Sequence, residues 1–450
     1  MSAPERTSAP ASDAPGLEGD AALIRAVGTF ALTAAVINVI VGGGIFKMPS
    51  SLSGQMGVAA PLALLAGALA IVPVALCFAA IGSRTRATGG PYTYLTAVFG
   101  PFAGFLAGAL MWISNVASSA GVAAAFTVQM ATLMPVFADK TPRMILLTVL
   151  YLLLFALNAF GVKMGARAIA VLAALKLAPL FLLVLVGVWF VDWNLVSFSF
   201  GDVPSLSALG ASMVLVMFAY SGMETALVPS GELRDPARNV PRATIAAILL
   251  VVLLYLGLQI VGQGLLGAKL GSSGVPVADT AGALWEPGRI ALLITACVSM
   301  GGFLLGNLLG TSRLVFALGR DGYLPRAFGR VTATHRVPLL ALIVHAGLAW
   351  SLALGGSFDA LALISGGAIC LMYGFVSLAA WRAQRIDLRH DGAAPFVMPG
   401  GALIPAIALL AMLAITATLT AKEWGAIGVA LGALIAIYAL LRAVRRTPSP

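Results

Sequence analysis

Long apolar runs dominate the chain, and polar residues collect in the short stretches between them. Windows of about 20 apolar residues, the length an α-helix needs to cross a bilayer, fall at 24–48, 57–82, 101–134, 143–161, 166–191, 206–230, 242–266, 288–318, 337–355, 358–382, 401–421 and 423–443. The pattern predicts an all-α membrane protein of twelve transmembrane helices. Two of the runs are interrupted. The first contains Gly42-Gly43-Gly44-Ile45-Phe46, and each glycine costs a helix interior about 1 kcal/mol relative to alanine. The sixth contains Phe218-Ala219-Tyr220-Ser221-Gly222-Met223-Glu224, with Ser-Gly and an ionisable Glu at mid-span.

At membrane depth a helix break is tolerated only where the freed backbone is buried in protein or lines a cavity. Bare N–H groups there suit a carboxylate and bare C=O groups an ammonium, which outlines a site for a small zwitterion. Matching breaks five helices apart point to inverted repeats with the site at their interface. Five is odd, so the second repeat enters the membrane upside down. The expected organisation is a disordered cytoplasmic tail (1–22), a first five-helix repeat (23–191), a second, inverted repeat (206–382), helices 11 and 12 outside the repeat (401–443), and a cytoplasmic C-terminal tail (444–450).

Composition agrees with a polytopic membrane protein: of 450 residues 60% are hydrophobic and only 10% charged, against roughly 25% charged in a soluble domain. The net charge of +10 would suit nucleic acid, but its placement says otherwise. With the N-terminus inside, Lys47, Lys140, Arg143, Lys269, Arg289 and Lys422 fall on the outer side, Lys176 lies within a span, and the remaining Lys and Arg are cytoplasmic. That is a positive-inside bias, placing both termini in the cytoplasm of a multi-pass inner (plasma) membrane protein, with lipid as its surroundings and no nucleic-acid partner. No segment reads as a cleavable signal peptide. Fifty glycines fit close helix contacts, and Trp189 and Trp193 flank the outer end of the fifth run, where amphipathic rings favour the interface. Cys77, Cys297 and Cys370 lie in apolar runs without metal-ligand spacing and read as small core residues. His335, His345 and His390 form no cluster, so neither a metal nor a cofactor is expected. No P-loop, nucleophile-elbow or H-E-x-x-H motif appears, and the chain does not read as an enzyme. A channel would need a continuous polar stripe, where the runs show isolated polar spots.

Four motifs carry a resemblance. Gly42-Gly43-Gly44-Ile45-Phe46 resembles the G-x-G-[IV]-F signature of the amino acid–polyamine–organocation superfamily, and Ala87-Thr88-Gly89-Gly90-Pro91-Tyr92-Thr93-Tyr94 resembles its G-G-x-Y-x-Y segment before helix 3. Phe218 to Glu224, followed by Gly231-Glu232-Leu233-Arg234-Asp235-Pro236-Ala237-Arg238-Asn239-Val240-Pro241-Arg242-Ala243, is similar to its helix 6 to helix 7 segment. Arg320-Asp321-Gly322-Tyr323-Leu324-Pro325 resembles its R-D-G-x-L-P after helix 8. The resemblance implies a leucine-transporter-like fold of five plus five helices with helices 1 and 6 broken, and sodium-independent transport of an amino acid or related amine by proton symport or exchange. No partner subunit is readable.

Candidate binding groups are the backbone of Gly42, Gly43, Gly44 and Ile45 with Ser221 and Gly222. The family often has Ser or Ala at the middle glycine, so this chain lacks a possible hydroxyl contact there. Phe218 reads either as a core aromatic or, by resemblance, as a gate over the substrate, with Tyr220 beside it. Asn115, Ser118 and Ser119 share a helix face with Trp112, lining a cavity or bonding neighbouring helices. Lys176 is a charge in mid-helix, which costs at least about 2.5–3.5 kcal/mol and so needs a partner or a task. The resemblance gives it the place of sodium in sodium-coupled relatives; proton release and snorkelling are the alternatives. Glu224 is a proton acceptor or a strut for the unwound segment. Ser299 is the candidate to meet Lys176, and Asn307 to face a side-chain pocket. One intramembrane carboxylate favours a neutral amino acid over a polyamine or cationic one. Arg234, Asp235, Arg238 and the Arg320-Asp321 pair read as topology determinants and inner-gate ion pairs.

Overall fold

The computed structural model describes residues 28–84, 89–160, 166–227, 235–389 and 394–446. The N-terminal tail, Arg86, Lys163, the Ala87-Thr88 and Gly231–Arg234 parts of the motifs, His390 and the last four residues lie outside them. The helices are α1 (Thr29–Ile40), α2 (Met48–Met56), α3 (Ala60–Gly82), α4 (Pro91–Phe99), α5 (Pro101–Leu133), α6 (Lys140–Ala159), α7 (Ala166–Gly187), α8 (Leu206–Tyr220) and α9 (Met223–Ala226). They continue as α10 (Pro236–Leu266), α11 (Lys269–Ser272), α12 (Pro276–Leu284), α13 (Glu286–Arg320), α14 (Leu339–Gly355), α15 (Phe358–Arg385), α16 (Leu403–Thr416) and α17 (Ala421–Arg446). Among the described residues there is no strand.

Among the described residues eight helical segments are long and apolar enough to cross a membrane, and three shorter apolar ones, Ala174–Phe190, Leu339–Gly355 and Leu403–Thr416, accompany them. The first expected run is not one helix: α1 has 12 residues, a 3₁₀ turn follows over Gly44–Phe46, and α2 resumes at Met48.

Burial ranks the helices. The apolar window of α5 is 89% buried and that of α17 only 6%. Accordingly α5 packs against α4, α13, α14 and α15, while α10 packs against α1 and α3. Glycines let α5 approach its neighbours closely: a side chain at Gly108 would meet Leu318, and one at Gly121 would meet Leu361. Large apolar side chains such as Leu69, Leu152, Leu182, Leu410 and Val429 point outward, as a hydrocarbon solvent requires. α1 and α9 meet at their interrupted ends, where Gly222 lies against Ile40, and α1 also packs against α10. This junction positions the candidate site.

Candidate functional site

At the first break α1 ends when Val41 N–H closes on Ile37 O and Gly42 N–H on Ile40 O. The next carbonyls have no helical partner, and three other helices supply one. Lys176 Nζ on α7 donates to Asn38 O and to Val41 O, each at 2.6 Å. Tyr255 Oη on α10 donates to Ile40 O at 3.0 Å, and Ser299 Oγ on α13 donates to Gly42 O at 2.8 Å. Lys176 and Ser299 thus share the task of holding the break rather than bonding each other.

The three glycines are buried, and closeness is what they contribute: Gly43 has φ −95°, which any residue adopts. A Cβ on Gly42 would come within 2.6 Å of the Phe303 ring, on Gly43 it would collide with Val122 Cγ1, and on Gly44 it would come within 3.0 Å of the Phe218 ring.

The second break is built the opposite way. α8 ends at Tyr220, Ser221 is extended, and Gly222 takes φ 131° before α9 begins. That φ is open to glycine almost alone. The position is also crowded, since a Cβ on Gly222 would lie 3.1 Å from the Ile40 backbone. Here a donor has been freed, and a carboxylate meets it. Gly222 N–H donates to Glu224 Oε1 and Oε2 at 3.0 and 2.9 Å. Tyr373 Oη on α15 donates to Glu224 Oε2 at 2.7 Å.

Between the breaks lies a cavity of about 130 Å³, below the roughly 300–1,000 Å³ of drug-sized pockets. It brings together Asn115, Ser118, Lys176, Ser221, Gly222, Glu224, Ser299 and Asn307 of the expected residues. Gly42, Gly43, Gly44, Ile45, Phe218 and Tyr220 are not in its wall. Phe218 packs on Gly44 and edge-on against Phe358; Tyr220 stacks on Tyr255 and donates to Leu64 O. Ser119 faces Tyr151 instead.

A second cavity, of about 520 Å³, is lined by Lys47, Lys140, Arg143, Phe358 and Asp359 among others. Along α5 the first cavity reaches Ser118 and the second begins at Ala124, about 9 Å apart at 1.5 Å per residue. Val122, pressed on Gly43, falls in that interval. The glycine stretch is therefore part of a partition between two cavities.

Where the start of α4 meets the end of α13, Tyr92 Oη donates to Asp321 Oδ2 at 2.5 Å, and Arg320 Nε to Asp321 Oδ1 at 2.8 Å. Two of the four motifs thereby touch. Burial first, then Asp321, raises the Tyr92 pKa well above the usual tyrosine range, so Tyr92 stays a donor. Arg238 and Asp235 lie 3.8 Å apart and largely exposed, a weak pair; Arg234 is outside the described residues. No group of three or more His, Cys, Asp or Glu that could hold a metal occurs among the described residues. Sequence reasoning missed Tyr255, Tyr373, Asn38, Phe303 and the contact of His345 Nε2 with Asn307 Oδ1 at 2.9 Å. A tyrosine or histidine in an apolar helix is more often core than strut, and nothing local distinguishes these.

A family model described as "Amino acid permease" matches residues 27–441. The chain is 27% identical over 373 residues to the serine/threonine exchanger SteT of Bacillus subtilis (strain 168), covering 81% of this chain and 83% of that protein. It is 25% identical over 438 residues to the branched-chain amino acid permease BcaP of Lactococcus lactis subsp. cremoris (strain MG1363), covering 88% and 91%. It is 28% identical over 362 residues to the large neutral amino acids transporter small subunit 2 of Rattus norvegicus, covering 76% and 67%.

Proposed function

The chain belongs to the amino acid permease family, and on that premise we propose that it carries neutral amino acids by alternating access, without sodium. It is an integral membrane transporter and not an enzyme. In the proposed arrangement twelve spans form two inverted five-helix repeats plus two C-terminal helices, with both termini cytoplasmic. The substrate occupies the cavity between the breaks, and coupling is by proton symport or by exchange.

The observation that carries this reading is the Lys176 ammonium held 2.6 Å from both Asn38 O and Val41 O. A fixed cation on the carbonyls of an unwound helix does what a bound sodium ion would do there, so no second cation is needed. Glu224 serves as the strut of the second break, its carboxylate already engaged by Gly222 and Tyr373. Among the described residues that leaves no free carboxylate in the cavity wall for a second ammonium, which supports a neutral substrate over a polyamine. The partition of Gly43 against Val122 and Gly44 against Phe218 serves as the gate between the two cavities; opening it requires these contacts to part. Names of relatives divide over the side chain: one takes serine and threonine, another branched-chain amino acids, at similar identity.

The test is uptake of labelled neutral amino acids by purified protein in liposomes, with external sodium replaced by choline. An unaltered rate is expected, and a sodium-dependent rate overturns the coupling claim. Loading counter-substrate inside separates exchange, which it accelerates, from proton symport, which an imposed pH gradient drives.

A further inference from the structure

Behind the cavity wall, His345 on α14 is fully buried. Its Nε2 lies 2.9 Å from Asn307 Oδ1 on α13, and its Nδ1 is buried without a partner among the described residues. Asn307 itself lines the cavity. Two neutral tautomers are available to the ring. A proton on Nδ1 would be a buried N–H with no acceptor, the costlier kind of orphan. A proton on Nε2 donates to Asn307 Oδ1 and leaves only a lone pair at Nδ1. The imidazolium would add an unpaired buried charge to the same orphan N–H. The ring is therefore neutral, with its proton on Nε2.

The consequence falls on Asn307. A terminal amide has two orientations related by a half-turn of χ2, nearly equal unless a neighbour separates them. A donor at His345 Nε2 accepts only one of them, with Oδ1 turned back to the histidine. Among the described residues the Asn307 NH₂ group has no acceptor, and it is not sealed from the cavity, so its hydrogens are offered there.

We propose that His345 is a positioning residue that fixes the Asn307 amide donor-side inward, so that the cavity selects neutral amino acids whose side chain carries a hydrogen-bond acceptor over aliphatic ones of equal size. This rests on the cavity being the substrate site. Recognition is by the hydroxyl or carboxamide oxygen of the substrate, and an aliphatic side chain leaves the Asn307 hydrogens unmet. Asn115 and Ser118, in the same wall, add polar surface on the side of α5.

Threonine and valine are the probe pair, since they differ by a hydroxyl in place of a methyl. In liposomes, kcat/KM for threonine should exceed that for valine by roughly threefold to tenfold, the worth of one net hydrogen bond. His345→Phe keeps a ring and removes the donor, so the ratio should fall towards one. His345→Gln restores an N–H at similar reach and should restore the ratio. A wild-type ratio near one overturns the proposal, as does His345→Phe slowing both substrates equally. Should His345→Phe fail to fold, Asn307→Leu is the second probe, and an unchanged ratio there overturns the proposal equally. If Asn307→Leu leaves uptake of every amino acid untouched, the substrate does not occupy this cavity and the parent reading fails too. If Asn307→Leu alters uptake while the ratio ignores His345, only the present inference fails.

Discussion

The two helix breaks solve one problem with opposite chemistry. The first frees carbonyls, and donors from α7, α10 and α13 meet them: an ammonium, a phenol and an alcohol. The second frees an N–H, and a carboxylate two residues along the chain meets it. The first break is thus held from a distance by several elements, whereas the second is held locally and steadied by a single tyrosine. Their glycines differ as well. Gly43 is glycine because Val122 is so near, and Gly222 because its φ is 131°. A break held by remote helices senses how those helices move, while a locally braced one keeps its shape and moves as a unit.

The largest expected effect tests the division between charge and acceptor. Lys176→Met removes both ammonium bonds, each worth about 1.5–3 kcal/mol when one partner is charged. Uptake in liposomes should fall by at least about tenfold. Glu224→Gln keeps an oxygen for Gly222 N–H and should cost less than Lys176→Met in the same assay. If the two variants are equally impaired, the breaks are not held differently and the comparison fails.

Next comes the reason for glycine. Gly43→Ala should lose about 1–3 kcal/mol of stability through overpacking, with uptake reduced, and Val122→Ala should restore much of both. Gly222→Ala should cost a similar 1–3 kcal/mol from its backbone conformation, and trimming Val39 should not rescue it: besides Val39 Cγ1 the new Cβ would meet two Ile40 backbone atoms at 3.1 Å, and the φ of 131° stays strained. The readout is thermal stability in detergent beside uptake. Rescue at both sites, or at neither, would erase the distinction.

Legibility followed locality. Gly42 to Gly44, Ser221, Gly222 and Glu224 were readable because breaks and a lone intramembrane carboxylate are visible in a single stretch of sequence. Lys176 was readable because a charge in an apolar run is rare and costly. The eight long apolar spans among the described residues were readable from apolar length, whereas the first run breaks off at its glycines. Which residues line the cavity was not. Gly42 to Gly44, Ile45, Phe218 and Tyr220 are at or near the breaks in sequence but lie off the wall; on α8 a neighbour along the helix turns away by about 100° per residue, as 3.6 residues per turn requires. Tyr255, Tyr373 and His345 reach their partners across 215, 149 and 38 residues respectively. Such separations leave no periodic trace.

The smallest effect sharpens the comparison most. Tyr255→Phe and Tyr373→Phe each delete one hydroxyl from a fully buried ring, one from each break. Tyr255 meets a neutral carbonyl that Gly42 N–H also satisfies, so its loss should cost about 0.5–1.5 kcal/mol. Tyr373 meets the Glu224 carboxylate, a charged partner, and its loss should cost about 1.5–3 kcal/mol. Pairing Tyr373→Phe with Glu224→Gln should then show coupling, the double variant losing less than the sum, because the neutral amide has less to gain from the phenol. Pairing Tyr255→Phe with Glu224→Gln should give simple addition, since the phenol on the first break never touches that carboxylate. Coupling of both tyrosines to Glu224 would mean that the breaks are braced as one structure, through the contact of Gly222 with Ile40, and not as two.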